Sequence, residues 1–560
     1  MKSCVICLAL LLGLTGIATS QQKKSAAQPA KKTVPEKVTP PQPPTEEPPR
    51  ESEQKLEERQ QPQPAMTDES GDESKSLDRL QWDMTEHTPV QTHHSVTVDG
   101  KALHYTATTG RLPIKDPTGK IEAEMFFVAY TLDGVDPATR PVTFAFNGGP
   151  GSASLWIHMG ALGPRKVVLD KEGWEPAAPY HLMDNPYTPL PATDLVLVDA
   201  IGTGFSRAQN MKTAKKFWGV KGDAAAFGEF IRLYLSRYER WSSPLYLLGE
   251  SYGTTRSAAV SGYLADRGIQ FNGIMLLSTV LDFESLEITK HNDLATILTL
   301  PTYTMIAAYH KKLAPELMQD MAKTRAEVEN WSWSVYAPAL AKGDALSPQE
   351  RQTIIDGLAK YTGLSKQLID QANLRIRVEQ FTHNLLADQK LRVGRLDGRF
   401  SGPDPDGYLD TDFYDPSGDM ISAPFTSVFN DYVRRELGYK VDMPYYTSVS
   451  QVSTSGNFDF WRRWEWGSAI GGFPNTADAL REAMVKDQYL KVMVMEGYYD
   501  LATPFAAADY TFNHMDLSPQ YRNNISFATF DSGHMVYLRE QALQKFQKVV
   551  EGFIENTTAK

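Results

Sequence analysis

One pentapeptide limits this chain more than any other feature. The apolar run 245–248 leads into Gly249-Glu250-Ser251-Tyr252-Gly253, and residues 254–265 follow with helical spacing. A serine between two glycines, after a strand and before a helix, sits on a sharp and strained turn. The glycines are required because side chains there would collide with the neighbouring strand and helix. Such a turn lifts the Ser251 hydroxyl above the sheet and points the Tyr252 N–H toward a reacting oxygen. It therefore demands a mostly parallel sheet with helices beside it and makes Ser251 the candidate nucleophile.

The rest of the chain supplies such a sheet. Residues 95–98, Asp99-Gly100 and 102–107 predict a hairpin, with His93-His94 preceding it as solvated surface, and 123–130 predicts a third strand. Short apolar runs follow at 142–146, 195–198, 245–248 and 274–277, and sheet-like runs return at 492–495 and 525–530. Apolar runs without alternation fit parallel strands buried on both faces. Helical spacing marks 224–238, 317–328, 348–359 and a terminal helix at 541–553. The organisation expected is an α/β core in two parts, 82–282 and 479–560, split by a helical insertion, 283–478, that caps the sheet.

The first 81 residues differ. They contain no Phe, Tyr or Trp. Residues 1–20 read as a signal peptide, with Lys2, an apolar run too short to span a bilayer comfortably, and Ala18-Thr19-Ser20 as a cleavage site. Residues 21–81 read as a Pro-rich disordered linker, unable to bury enough surface to offset its ordering entropy. The expectation is a secreted or periplasmic protein with no stable membrane span after cleavage. Cys4 and Cys7 would leave with the signal. The net charge of −11 argues against nucleic acid as a partner.

A serine nucleophile needs a base and an acid to orient it. In this kind of sheet they follow later strands, in the order Ser, Asp, His. Asp500 comes just after the run 492–495 and His534 just after 525–530. Of eleven histidines, His534 alone has this placement. Asp531 is a rival acid, but it shares a loop with His534 and reads as a loop residue. No metal or organic cofactor is expected. The acidic stretch 404–412 lacks the glycine spacing of a calcium loop and reads as solvated.

Taken together, Asn147-Gly148-Gly149-Pro150-Gly151, the block from Asp199 to Ser206, Gly249 to Gly253, and the Asp500 and His534 loops resemble the serine carboxypeptidase family, to which cathepsin A belongs. The resemblance implies an α/β-hydrolase fold and removal of single residues from peptide C-termini. It implies a Ser251–Asp500–His534 triad, an oxyanion hole from the Gly149 and Tyr252 N–H groups, and recognition of the terminal carboxylate by Asn147, Gly148 and Glu250. The block from Asp199 to Ser206 reads as support for the pocket floor.

A carboxylate meeting Glu250 must share a proton with it, so binding should improve below neutral pH. The chain also departs from the family pattern. Ala145 stands where the family has Trp, Ala161 where it has Glu, and Ser152 where Cys is common; the family's disulfides are absent. The two alanines keep a second reading open, an esterase or acyltransferase with the same triad. A third reading, a catalytically silent tethered binding protein, would need none of the triad.

Overall fold

The computed structural model describes residues 80–404, 414–452, 460–467 and 472–558. The signal, nearly all of the linker, and the acidic stretch beyond Asp404 lie outside the described residues.

Nine strands lie side by side along the main sheet: β1 (Val90–Val98), β2 (Lys101–Lys115), β3 (Ile121–Leu132), β4 (Val142–Phe146), β5 (Asp194–Val198), β6 (Leu245–Glu250), β7 (Gly273–Leu277), β8 (Lys491–Gly497) and β9 (Ile525–Phe530). Their order is β1-β2-β3-β5-β4-β6-β7-β8-β9, and a two-residue strand, Arg207–Ala208, pairs with β3. Pairing is antiparallel from β1 to β5 and parallel from β5 onward through β4 to β9. This is the α/β-hydrolase arrangement that the serine turn demands.

Side-chain alternation explains why the central runs are apolar throughout. Along β6 every residue is buried. Leu247 packs on one face with Phe227, Phe230 and Ile231 of α1 (Val220–Arg237) and Leu264 of α2 (Tyr252–Ala265). Tyr246 and Leu248 point to the other face. There they join the terminal helix Glu540–Thr558, through Leu543, Phe546 and Val550.

The stretch 283–478 behaves in two ways. Helices α3 (Asp293–Tyr309) and α4 (Pro348–Thr362) contribute to a hydrophobic cluster of their own, with Leu300, Ile306 and Leu358. Helix α5 (Pro416–Arg435) instead adds Phe425, Phe429 and Tyr432 to the sheet's own second face.

Three local expectations change. The first hairpin runs further than 95–107, and His93 and His94 lie inside β1 rather than before it. The helix expected over 317–328 is broken. Pro315–Met318 and Met321–Trp331 are separate because the Asp320 carboxylate accepts the Lys323 N–H at 3.0 Å and starts a new helix. The terminal helix extends from Glu540 to Thr558.

Candidate active site

The serine turn is strained in the way its sequence requires. Ser251 has φ 60° and ψ −131°, a conformation L-residues rarely adopt. The sheet holds it there: the Ser251 N–H donates to Leu277 O at the end of β7, 2.9 Å away. A Cβ on Gly249 would overlap the Gly253 carbonyl, and one on Gly253 would sit 2.8 Å from Phe146 O. Opposite, a Cβ on Gly148 would overlap the backbone nitrogens of Tyr252 and Gly253. The loop after β4 therefore lies directly on the start of α2. The first N–H groups of a helix have no partner inside it, so Tyr252 N–H remains a donor for an outside oxygen.

Asn147 is fixed at both ends. Its side-chain Oδ1 accepts the Ile157 N–H at 2.9 Å, which turns Nδ2 toward Glu250 as a donor. Its carbonyl accepts from Arg256 Nη1 at 2.6 Å. Arg256 is itself buried, paired with Asp223 at 2.7 Å, and its guanidinium lies 4.3 Å from the centre of the Phe227 ring. Asp199, on the loop after β5, accepts the Ser154 N–H at 2.7 Å and so steadies the turn after the Asn147 block.

Asp500 and His534 sit past the ends of β8 and β9. His534 Nδ1 lies 2.7 Å from Asp500 Oδ2. Thr503 Oγ1 donates to the same oxygen at 2.6 Å, and the Ala502 and Thr503 N–H groups donate to Oδ1 at 2.8 and 3.0 Å. A fully buried carboxylate with four donors is well satisfied. It holds the proton of the imidazole on Nδ1 and leaves Nε2 as an acceptor. Burial depresses the His534 imidazolium, but the charge and hydrogen bond of Asp500, with Glu250 behind them, outweigh this and raise its pKa above the usual 6.5. Asp531 is engaged elsewhere, by the Tyr499 hydroxyl at 2.6 Å and by Arg539.

The base loop is clasped by the insertion. His534 N–H donates to Leu396 O at 2.7 Å, and Gly533 N–H to Asp397 Oδ2 at 3.0 Å. Asp397 forms a buried two-pronged pair with Arg399, at 2.7 and 3.1 Å, and Arg399 Nη2 reaches Ser532 Oγ at 3.3 Å. The same segment holds the acid loop: Leu501 N–H donates to Arg395 O and Gly398 N–H to Tyr499 O.

Glu250 is buried beside Ser251. Burial pushes its pKa up to about 7, against the nearby His534 and a hydrogen bond from the Tyr537 hydroxyl, 2.8 Å from Oε2. Asn147, Gly148, Gly149, Glu250, Ser251, Tyr252 and His534 line one cavity of about 630 Å³; Asp500 lies behind His534. Trp156, Phe283, Leu286, Ile421 and Trp461 make its apolar wall. The volume suits a small organic or peptide ligand. Among the described residues, no group of three or more His, Cys, Asp or Glu is placed to hold a metal ion, and no helix is long and apolar enough to cross a membrane.

Four supporting residues escaped the sequence reading. Thr503 and Tyr537 each lie three positions after a triad candidate, a spacing that gave a faint signal. Arg256 lies on α2, and Asp397 lies in the insertion with nothing in its sequence context to mark it.

The sheet order and the serine turn define an α/β hydrolase with the layout of a serine enzyme. A family model described as serine carboxypeptidase matches residues 101–393, more than half of the 560, and the chain belongs to that family. The match includes Ser251 and ends before Asp500 and His534. Serine carboxypeptidase-like 36 of Arabidopsis thaliana is 30% identical over 146 residues, 26% of this chain. The chain spans 27% of that relative's length.

Among solved structures, a thermostable carboxyl esterase from Bacillus coagulans matches with a TM-score of 0.34 and 10% identity, over 80% of this chain and 99% of that one. Juvenile hormone epoxide hydrolase from Bombyx mori matches with a TM-score of 0.31 and 12% identity, over 81% and 79%. Scores this low carry no argument; the fold rests on the strand order and the family match.

Proposed function

We propose that this protein is a serine carboxypeptidase that removes single residues from peptide C-termini. The observation that carries the reading is the shared cavity. The candidate carboxylate binders Asn147, Gly148 and Glu250 line the same space as Ser251 and His534. A terminal carboxylate seated on the first three would bring the last peptide bond to the serine.

In this reading His534 Nε2 takes the Ser251 proton as Oγ attacks the scissile carbonyl carbon. The carbonyl oxygen gains the negative charge and is met by the N–H groups of Gly149 and Tyr252, donors typically worth about 2.7–4 kcal/mol each. His534 then gives its proton to the departing amine, and the C–N bond breaks. Water repeats the sequence on the acyl-enzyme, with His534 again as base, and restores Ser251. Asp500 orients the ring and stabilises the imidazolium.

Glu250 and His534 set opposite pH limits. Glu250 must carry a proton to meet a carboxylate, and its pKa of about 7 favours binding below neutrality. His534 must be neutral to act, so turnover falls as pH drops through its raised pKa. Work outside the cytoplasm belongs to the same proposal and rests on residues 1–20 alone.

The test compares an N-blocked dipeptide bearing a free C-terminus with its amide and its ester. We expect cleavage of the free acid, lost by a factor on the order of 10⁴–10⁶ in Ser251→Ala, and covalent labelling of Ser251 by a fluorophosphonate. An ester turned over with no peptide cleavage would instead establish the esterase reading, which the buried, non-polar Ala145 and Ala161 favour. No labelling would leave the silent binding protein.

A further inference from the structure

Glu250 has an unusual companion for a carboxyl that must share a proton. The Tyr537 hydroxyl donates to Oε2 at 2.8 Å, and both side chains are only 2% exposed. The ring of Tyr537 has its place because residue 160 is glycine: a Cβ there would overlap the ring edge. Ala161, next along, is fully buried and brings no polar group. The other groups acting on Glu250 are His534, Asp500 and the Asn147 amide. Of these, Asp500 is the only further carboxyl, and its oxygens are committed to His534, Thr503 and Ala502.

We propose that Tyr537 is a positioning residue for carboxylate recognition: it holds Glu250 Oε2 and leaves Oε1 to meet the terminal carboxylate of a peptide. This rests on the reading of Glu250 given above. A phenol and a carboxylic acid differ as partners. Burial holds the Tyr537 hydroxyl well above its ordinary range, so it remains a donor wherever the enzyme works. It cannot take up the shared proton. One titration, that of Glu250, then governs the binding of free-acid peptides.

The hydrogen bond also has a direction. A donor to Oε2 favours the ionised form and opposes the effect of burial. Tyr537 therefore lowers the pH at which Glu250 loses its proton and narrows the range over which a free carboxylate is accepted.

The experiment measures kcat and KM for an N-blocked dipeptide free acid and its amide across roughly pH 5 to 9, a span centred on a carboxyl raised toward neutrality. The wild type, Tyr537→Phe and Glu250→Gln are compared. In the wild type, the preference for the acid over the amide should fall as pH rises. Tyr537→Phe should move the midpoint of that fall up by about one pH unit or more, the effect of losing a hydrogen bond to a charged group. Glu250→Gln should flatten it.

A Tyr537→Phe midpoint unchanged from wild type, with both substrates slowed alike, would mean Tyr537 only packs. That result, with a flat Glu250→Gln profile, overturns the role of Tyr537 alone. A fall that persists in Glu250→Gln overturns the reading of Glu250 and this inference with it.

Discussion

The two sides of the cavity are held by different means. On the serine side, Ser251, Tyr252, Asn147 and Gly148 are placed by backbone that belongs to β4, β6 and α2, with Leu277 of β7 alongside. Their geometry follows from close approach, and glycine is the device that permits it. On the base side, Asp500 and His534 stand on loops, and the segment 395–399, far away in sequence, ties both loops down with backbone and carboxylate hydrogen bonds. The first half can be assembled from adjacent strands. The second half depends on the insertion folding onto the sheet. Placement by contiguous backbone leaves short motifs in a sequence, and placement by a distant clasp leaves almost none.

The strongest way to break this contrast is Asp397→Ala. Removing Asp397 strips Arg399 of its buried partner and leaves it only the half-exposed Glu172 at 3.4 Å; breaking a buried pair typically costs about 3–5 kcal/mol. The Gly533 N–H would also lose its acceptor. We expect a clear drop in stability by chemical denaturation, together with a kcat reduced further than the folded fraction explains. Folded Asp397→Ala with wild-type kcat would show that the base loop stands without the clasp.

On the serine side the matching change is Gly148→Ala. The new Cβ would meet backbone nitrogens of Tyr252 and Gly253, atoms with no side-chain freedom to yield. The loop after β4 must retreat, and the Gly149 and Tyr252 donors separate. Losing one such donor costs about 10²–10³ in kcat. Steady-state kinetics should show that loss with KM for the amide substrate changed far less. Equal losses in kcat and stability would remove the distinction between the halves.

The same contrast accounts for what could be read beforehand. The central strands, the serine turn and the loops that carry Asp500 and His534 were visible because apolar runs and glycine spacing are local; the order of the strands in the sheet was not. Asp531 could be set aside only on sequence distance; its actual engagement with Tyr499 and Arg539 is a three-dimensional fact. The break in the helix near 319 was hidden because the apolar spacing of 317–328 continues across Asp320, while the capping carboxylate decides the boundary. Within 283–478, amphipathic spacing could mark α4 as a helix, but it could not tell that α5 covers the sheet rather than joining the separate cluster of α3 and α4. Both kinds of helix carry one apolar face, and only the tertiary fold chooses its partner.

The smallest effect tests the one residue that the two halves share. Glu250 is the last residue of the serine-side strand β6, yet it feels His534 and accepts its hydrogen bond from Tyr537, three positions past the base. Its pKa rises from 4.5 to about 7 on folding, mainly through burial. Between those values the folded chain holds a proton that the unfolded chain has released. Stability from this group is therefore intact below about pH 4.5 and is lost as pH rises toward 7. Glu250→Gln keeps an acceptor for the Tyr537 hydroxyl and removes the charge. Compared with wild type by denaturation at about pH 5 and about pH 8, roughly either side of that loss, the variant should gain relative stability at the higher pH, by up to about 3 kcal/mol. Asp199 and Glu496, also raised by burial, slope the same way in both proteins and cancel in the difference. A difference that does not change with pH would mean that Glu250 ionises no later than an ordinary carboxylate, and the two halves would then be electrostatically separate.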